Sequence, residues 1–204
     1  MIHKEILTDD QIELLPMLKL FSDRFGLVGG TAIALQIGHR RSIDFDMFTN
    51  KKFGNLAVER KFRNNVPIDK IIVSRLDELT FMAKGVKFTF FNYPYNIEYS
   101  QKLNSFVKMP DLLTLAAMKA FALGMRAKWK DYVDLYFIMR DFHSINEIIN
   151  KGEEIFTTEF NAKIFKVQLG YYNDVRYDEP VEFMPGFVVP DEEIKKKLTE
   201  HSLE

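Results

Sequence analysis

LVGGTAIALQIGHRRSIDFDMF, residues 27–48, reads as a strand ending in Gly29-Gly30, a short helix opening at Thr31, a polar turn at His39-Arg40-Arg41-Ser42, and a second strand carrying Asp44 and Asp46. Alternate side chains of a strand share a face, so Ile43, Phe45 and Met47 are predicted to enter the core while Asp44 and Asp46 point the other way. Like charges on one strand face repel, and aspartate is a poor strand former. A divalent cation would relieve the repulsion, since Mg²⁺ takes oxygen ligands and sits on one or two carboxylates together with substrate phosphates. The glycines suit the same substrate: without a Cβ the backbone lets a phosphate approach, and free N–H groups at a helix N-terminus favour an anion. Each half also has a plainer reading, Gly-Gly as a tight turn and D-x-D as a solvated face.

Joined, GG[ST], a helix and D-x-D on an apolar strand resemble the signature of the nucleotidyltransferase superfamily, which includes DNA polymerase beta and the CCA-adding enzymes. The finer wording, GGTAIALQIGHRRSIDFDMF, is similar to the AbiEii-type family of nucleotidyltransferase toxins from bacterial toxin-antitoxin and phage-defence systems, whose members read GGTaLaLqlGHR.S.DiDlF. The resemblance implies Mg²⁺ (or Mn²⁺) on Asp44 and Asp46, and an NTP held by Gly29, Gly30 and Thr31 with Arg40 and Ser42 beside them. It further implies an RNA acceptor such as transfer RNA, and an antitoxin protein as partner.

The 204 residues, 47% of them hydrophobic, suffice for one substantial domain with a smaller companion lobe. The absence of cysteine excludes a disulfide framework and thiolate metal sites, and agrees with a reducing cytoplasm. The N-terminal residues MIHKEILTDD lack a signal pattern, and no apolar run is long enough to span a bilayer, so a soluble cytoplasmic protein without a membrane partner is expected. A net charge of −1 does not decide for or against a nucleic-acid partner; the basic clusters at Lys51-Lys52, Arg60–Arg63 and Arg126–Lys130 are candidates for either a binding face or a solvated surface.

Upstream, Thr8 is the expected N-cap of a helix from Gln11 to Phe21, which Pro16 would kink or split, and Phe25–Val28 is the first strand. Downstream, a helix over 56–63 precedes the strands IIVSRL, LTFMAK, VKFTFFNY and a short SFVK, a largely antiparallel extension of the sheet with turns at Asp77-Glu78 and Gly85. The aromatic residues Phe88, Phe90, Phe91, Tyr93 and Tyr95 are expected as sheet core rather than as a base-stacking platform. Polymerase-like relatives place a third carboxylate on such a strand, and VKFTFFNY has none. Thr89 takes a plausible position, with Asp69, Asp77 and Glu98 as substitutes by proximity in sequence.

The stretch PDLLTLAAMKAFALGMRAKWKDYVDLYFIMR, residues 110–140, reads as a buried helix starting after Pro110 and stopping at Gly124, then a second from Lys130-Asp131 to Arg140. Lysine is rarely buried without a partner, so Lys119 within so apolar a helix either snorkels, pairs with Asp131 or Asp134, or serves a ligand. The stretch resembles the second motif of the same family, a lysine, a later arginine and K-D-x-x-D-L. That implies Lys119, Arg126 and Lys130 on the triphosphate and Asp131 in the catalytic set. Beyond it, helices are expected over 144–155 and 158–171, the latter burying Phe160, Ile164, Phe165, Val167 and Leu169. An irregular segment, RYDEPVEFMPGFVVP, and a terminal helix from Asp191 to Lys197 complete the chain.

The expected architecture is α+β: a nucleotidyltransferase core over residues 1–108 with a mixed sheet, and a helical lobe over 109–204 closing on it. The expected reaction is nucleotidyl transfer. A non-catalytic nucleotide-binding or interaction module descended from such an enzyme is the alternative, motivated by the missing strand carboxylate.

Overall fold

The computed structural model of the protein describes residues 2–204. A 3-10 turn, Lys4–Ile6, leads into helix α1, Asp9–Phe21, which Pro16 does not split. Thr8 and Gln11 close α1 with a reciprocal capping box. Gln11 also donates through Nε2 to the Ser42 carbonyl at 2.9 Å, so the cap ties this helix to the turn before the aspartates. Strand β1, Gly26–Val28, runs directly into helix α2, Gly29–Ile37. The helix therefore opens at the glycines and not at Thr31, because Gly29 turns the chain at φ 71°, a left-handed conformation open to a residue without Cβ.

Strand β2, Asp44–Thr49, buries Phe45 and Met47. Ile43 is exposed and lies outside the strand, a correction to the predicted three-residue core stripe. The backbone there is held by other partners: Gln11 and Thr31 take the Ser42 and Asp44 carbonyls. After α3, Asn55–Arg63, comes a meander of β3, Lys70–Arg75, β4, Glu78–Ala83, and β5, Val86–Asn92. Lys84 and Gly85, both at positive φ, form the two-residue loop between the paired Ala83 and Val86, the geometry that suits strand twist. The sheet order is β1-β2-β5-β4-β3, antiparallel except for the β2–β5 pair. SFVK does not extend this sheet. Both sides of β5 are taken by β2 and β4, and β6, Gln101–Leu103, pairs instead with β7, Val107–Met109, as a separate hairpin.

The two sheet faces differ. Phe45, Met47, Leu79, Phe81, Phe88 and Phe90 are buried, and Phe21 of α1 and Phe62 of α3 meet Phe90 and Phe88 at centroid separations of 4.8 and 4.9 Å. The opposite face carries Asp44, Asp46 and Phe48 on β2 and Lys87, Thr89 and Phe91 on β5. Phe88 and Phe90 are core as expected, whereas Phe91, Tyr93 and Tyr95 are only half-buried.

Helices α4, Leu112–Leu123, α5, Trp129–Asp141, α6, Ile145–Phe156, α7, Ala162–Leu169, and α8, Asp191–Ser202, follow. The helix α2 packs against both α4 and α5, which joins the glycine turn to the second half of the chain. The run over 158–171 is not one helix: Thr157–Glu159 is a 3-10 turn, Asn161 caps α7, and Ile164 and Val167 face solvent. No helix among the described residues is long and apolar enough to cross a membrane.

Candidate active site

The glycines and the aspartates meet. Val28 pairs with Asp46 across β1 and β2, and a Cβ on Gly29 would collide with Asp46 Oδ2. The carboxylate thus rests against the first residue of α2, at the end of the helix where amide groups and dipole favour negative charge. Gly30 leaves room on its other side, since a Cβ there would lie 2.5 Å from an Arg40 guanidinium nitrogen and 3.2 Å from Ser42 Oγ. Thr31 is buried; its hydroxyl donates to the Asp44 carbonyl and sits 2.9 Å from Ser42 Oγ, which fixes the entry into β2. Close approach of protein side chains is therefore enough to demand both glycines.

Asp44 and Asp46 are half-buried on one face of β2. In the parallel register Asp44 lies beside Lys87 and Asp46 beside Thr89. Lys87 Nζ is 2.6 Å from Asp44 Oδ2. Burial and the adjacent Asp44 charge push the Asp46 carboxyl above the usual carboxylate range, against the pull of Lys87, Thr89 and Lys119. Burial alone would lower the Lys87 ammonium, but Asp44, with Asp46 and Glu179, outweighs it and holds Lys87 above its ordinary value. None of the three substitute carboxylates reaches this place. Asp69 and Glu98 are exposed, and Asp77 accepts from Asn92 at a hairpin end. No cluster of three or more His, Cys, Asp or Glu suited to a metal occurs among the described residues.

Behind this face is a second charged assembly, centred on Asp134 of α5. Arg40, 2% exposed, donates to it twice, Nε to Oδ1 at 2.7 Å and a terminal nitrogen to Oδ2 at 2.8 Å. His39 Nε2 lies 2.8 Å from Oδ1 and Lys119 Nζ 2.9 Å from Oδ2. Since a carboxylate only accepts, His39 carries its proton on Nε2, and burial lowers its pKa despite Asp134. Burial alone would raise the Asp134 carboxyl; the Arg40 and Lys119 charges and the His39 and Arg40 hydrogen bonds hold it well below the usual range. Lys119 also pairs with Asp131, and although burial opposes it, the two aspartates raise its pKa. Asp131 Oδ2 is buried without a hydrogen-bond partner among the described residues, with Arg126 3.8 Å away.

A strap crosses the edge of the site. Arg176 exchanges backbone hydrogen bonds with Ala127 and Trp129, Glu182 accepts from the Arg41 amide, and Met184 donates to the His39 carbonyl. Between these anchors Glu179 lies 2.8 Å from Lys128 Nζ and 3.4 Å from Lys130 Nζ. The hydrogen bond from Lys128, outweighing burial, brings Glu179 down to about 2. Its charge also raises the pKa values of Lys87 and Arg40, so the strap, β5 and the buried assembly are electrostatic neighbours.

Of the residues singled out in the sequence, Gly29, Asp44 and Asp46 are brought together, with Lys119 close enough to act on Asp46 and with Asp131 and Arg126 behind it. Thr31, Ser42 and Arg40 are engaged in holding the turn, and Lys130 is paired with Glu179. Asp131 does not cap α5, whose first turn has no side-chain cap; it pairs with Lys119. Arg40 and Arg41 pair with Asp134 and Glu182 and not with the strand aspartates, whose partner is Lys87. Sequence reasoning passed over Lys87, His39 and Glu179. Only Lys87 had a local signal, an alternating position on the strand that lacks the expected acid.

Residues 16–179 match the family described as Nucleotidyl transferase AbiEii toxin, Type IV TA system. An uncharacterised protein of Aquifex aeolicus is 31% identical over 187 residues, 87% of either chain. Among solved structures, MenT4, a nucleotidyltransferase toxin from Mycobacterium tuberculosis, superposes with a TM-score of 0.59 at 12% identity over 94% of this chain and 80% of its own. A putative nucleotidyltransferase from Helicobacter pylori gives 0.56 at 15% identity over 96% and 94%. At such identities these structures share the fold, an α+β arrangement with a mixed sheet. The extent of the family match and of the Aquifex relative assigns more: the chain belongs to the AbiEii family of nucleotidyltransferase toxins.

Proposed function

We propose that the protein moves a nucleoside monophosphate from an NTP to an acceptor hydroxyl over the face formed by Asp44 and Asp46, with residues 1–108 as the catalytic core and 109–204 as the lobe that closes on it. A bond forms between the acceptor oxygen and the α-phosphorus, and the bond from that phosphorus to the bridging oxygen breaks. Pyrophosphate leaves and the acceptor proton passes to solvent. The observation that carries this reading is the contact of Asp46, one of two partly buried carboxylates on the same strand face, with the amino-terminal end of α2.

An all-oxygen donor pair, with Asp46 held above the usual carboxylate range by burial and then by the Asp44 charge, fits a hard divalent cation such as Mg²⁺ or Mn²⁺. Held by Asp44 and Asp46, it would supply positive charge to the phosphoryl oxygens. The chain's own residues do the rest. Gly29 and Gly30 let the Asp46 carboxylate and the Arg40 guanidinium approach the N-terminus of α2, so the phosphates would meet that end of the helix beside these two side chains. Lys119, set in place by Asp131 and Asp134, adds positive charge beside Asp46, while Thr31, Ser42 and Arg40 hold the turn that positions both aspartates. Arg126 and Lys130 extend the basic edge toward the leaving pyrophosphate or the acceptor.

For the acceptor we propose RNA, transfer RNA first, with the reaction in the cytoplasm and a partner antitoxin restraining it, as the type IV toxin family suggests. The test is incubation with each of the four α-labelled NTPs, Mg²⁺ and total RNA. Label should appear in an RNA band with the parent and vanish with Asp46→Asn. Unlabelled RNA with all four, beside metal-dependent triphosphate binding, would overturn RNA as the acceptor.

A further inference from the structure

The register of β5 against β2 sets a cation, and no third acid, beside the aspartates. Lys87 and Thr89 are the side chains of β5 opposite the two aspartates, and Lys87 Nζ lies 2.6 Å from Asp44 Oδ2. The side chains of this ion pair are 33% and 29% exposed, a setting in which such a pair contributes little to stability. Its effect on what else can bind is larger. The ammonium cancels one of the pair's two charges and repels any dication placed beside Asp44. Thr89 offers a neutral hydroxyl in register with Asp46, and no third acid stands near enough to help hold a second ion among the described residues.

We propose that Lys87 is the site's built-in second cation: the two aspartates take one divalent ion rather than two, and Lys87 leaves Asp44 for the triphosphate when the nucleotide arrives. The inference rests on the metal reading of the pair given above. Charge counting supports it. The aspartates, one dication and Lys87 leave the face with a single positive charge, which attracts an anionic triphosphate. Without Lys87 the aspartates and the ion would cancel, and the remaining cation near Asp46, Lys119, already shares its charge with Asp131 and Asp134. Lysine also suits the exchange, since its flexible stem carries a compact charge that can change partners without moving the strand.

The role requires Lys87 to oppose the bare ion and favour the ion together with phosphates, so removing it should shift the two affinities in opposite directions. Mn²⁺ bound per chain is counted by the loss of the free-ion electron paramagnetic resonance signal, and binding of inorganic tripolyphosphate at saturating Mn²⁺ is followed by calorimetry. The parent should bind one Mn²⁺. Lys87→Met should bind one Mn²⁺ about tenfold more tightly and tripolyphosphate about tenfold more weakly, with Lys87→Arg returning both toward the parent. Lys87→Gln serves if the Met variant does not fold. Two Mn²⁺ per parent chain, or affinities that move together or not at all, would overturn the role of Lys87. Binding of Mn²⁺ that Asp46→Asn leaves unchanged would instead overturn the metal reading of the pair, a separate failure.

Discussion

The protein has two pairs of aspartates that look alike on paper and differ in every physical respect. Asp131 and Asp134 lie on α5, buried, with Arg40, His39 and Lys119 directed at them. Asp44 and Asp46 lie on β2, half-buried, and among the described residues one cation, Lys87, is in salt-bridge contact, with Asp44. The Asp134 pKa is pulled down and the Asp46 pKa is pushed up. A carboxylate supplied with donors by its own fold has charge committed to structure; one left short of donors has charge to offer a ligand. The contrast separates an assembly that positions the site from the face on which a ligand would bind.

The largest effect should come from Asp134, both of whose oxygens are supplied with donors. Asp134→Asn leaves Arg40 and Lys119 without their shared counter-charge inside the protein, and breaking a buried pair in this way costs about 3–5 kcal/mol. Urea unfolding should register that loss in full. The pH dependence follows with its sign: Asp134 has a depressed folded-state pKa, so its stabilisation is present above the ordinary carboxylate value of 3.8 and is lost as pH falls below it. The parent should therefore lose stability steeply below about pH 4, and Asp134→Asn less steeply. A variant as stable as the parent would dissolve the distinction between the pairs.

Lys119→Met should rank next. It keeps the apolar stem and removes a cation shared by Asp131 and Asp134, while Arg40 and His39 still serve Asp134. A loss of about 2 kcal/mol is expected, the worth of a charged hydrogen bond, together with weaker triphosphate binding. Stability lost without any change in triphosphate affinity would move Lys119 wholly into the structural assembly.

These two pairs also mark how far the sequence could be read. The strand aspartates, the glycines and most helices are local features, written in alternation, caps and turns within a few residues. Thr8 and Ser144 open helices with capping boxes as their chemistry predicts, and α4 stops at Gly124 as expected, although that glycine keeps a right-handed φ of −65°. Within the Asp134 assembly, the pairing of Lys119 with Asp131 and Asp134 is among the readings the sequence offers, but the place of Arg40 was not legible, because Arg40 and Asp134 are 94 residues apart and neither position carries a sign of the other. Burial turned Arg40 from an expected ligand contact into a fixed internal cation. Lys87 is not legible for a different reason: its alternation in VKFTFFNY gives its face of β5 but not that β5 pairs in parallel with β2, the register that sets it beside Asp44. Ile164 and Val167 fit a helical apolar pattern, yet Asn161 restarts the helix and turns both outward.

The smallest change in stability, and the sharpest in sign, belongs to Asp46→Asn. The raised pKa of Asp46 means that folding disfavours its charged form, so the parent in EDTA should gain stability as pH falls from neutral through the folded-state value toward 3.8, the reverse of the Asp134 effect. Asparagine removes the charge and keeps the size. At neutral pH in EDTA the variant should be equal to the parent or more stable by roughly 1 kcal/mol, the scale of a like-charge repulsion across one strand repeat, and its rise toward acid pH should be absent. Asp44→Asn should not share this gain, because it strands Lys87. Adding Mg²⁺ with NTP should then stabilise the parent, by about 2.7 kcal/mol at a hundred times the dissociation constant, and leave Asp46→Asn unmoved. Thermal unfolding at several pH values, with EDTA or with Mg²⁺ and NTP, reads all of this. A melting temperature for Asp46→Asn clearly below the parent in EDTA would mean that Asp46, like Asp134, is satisfied by the fold and has no charge left for a ligand.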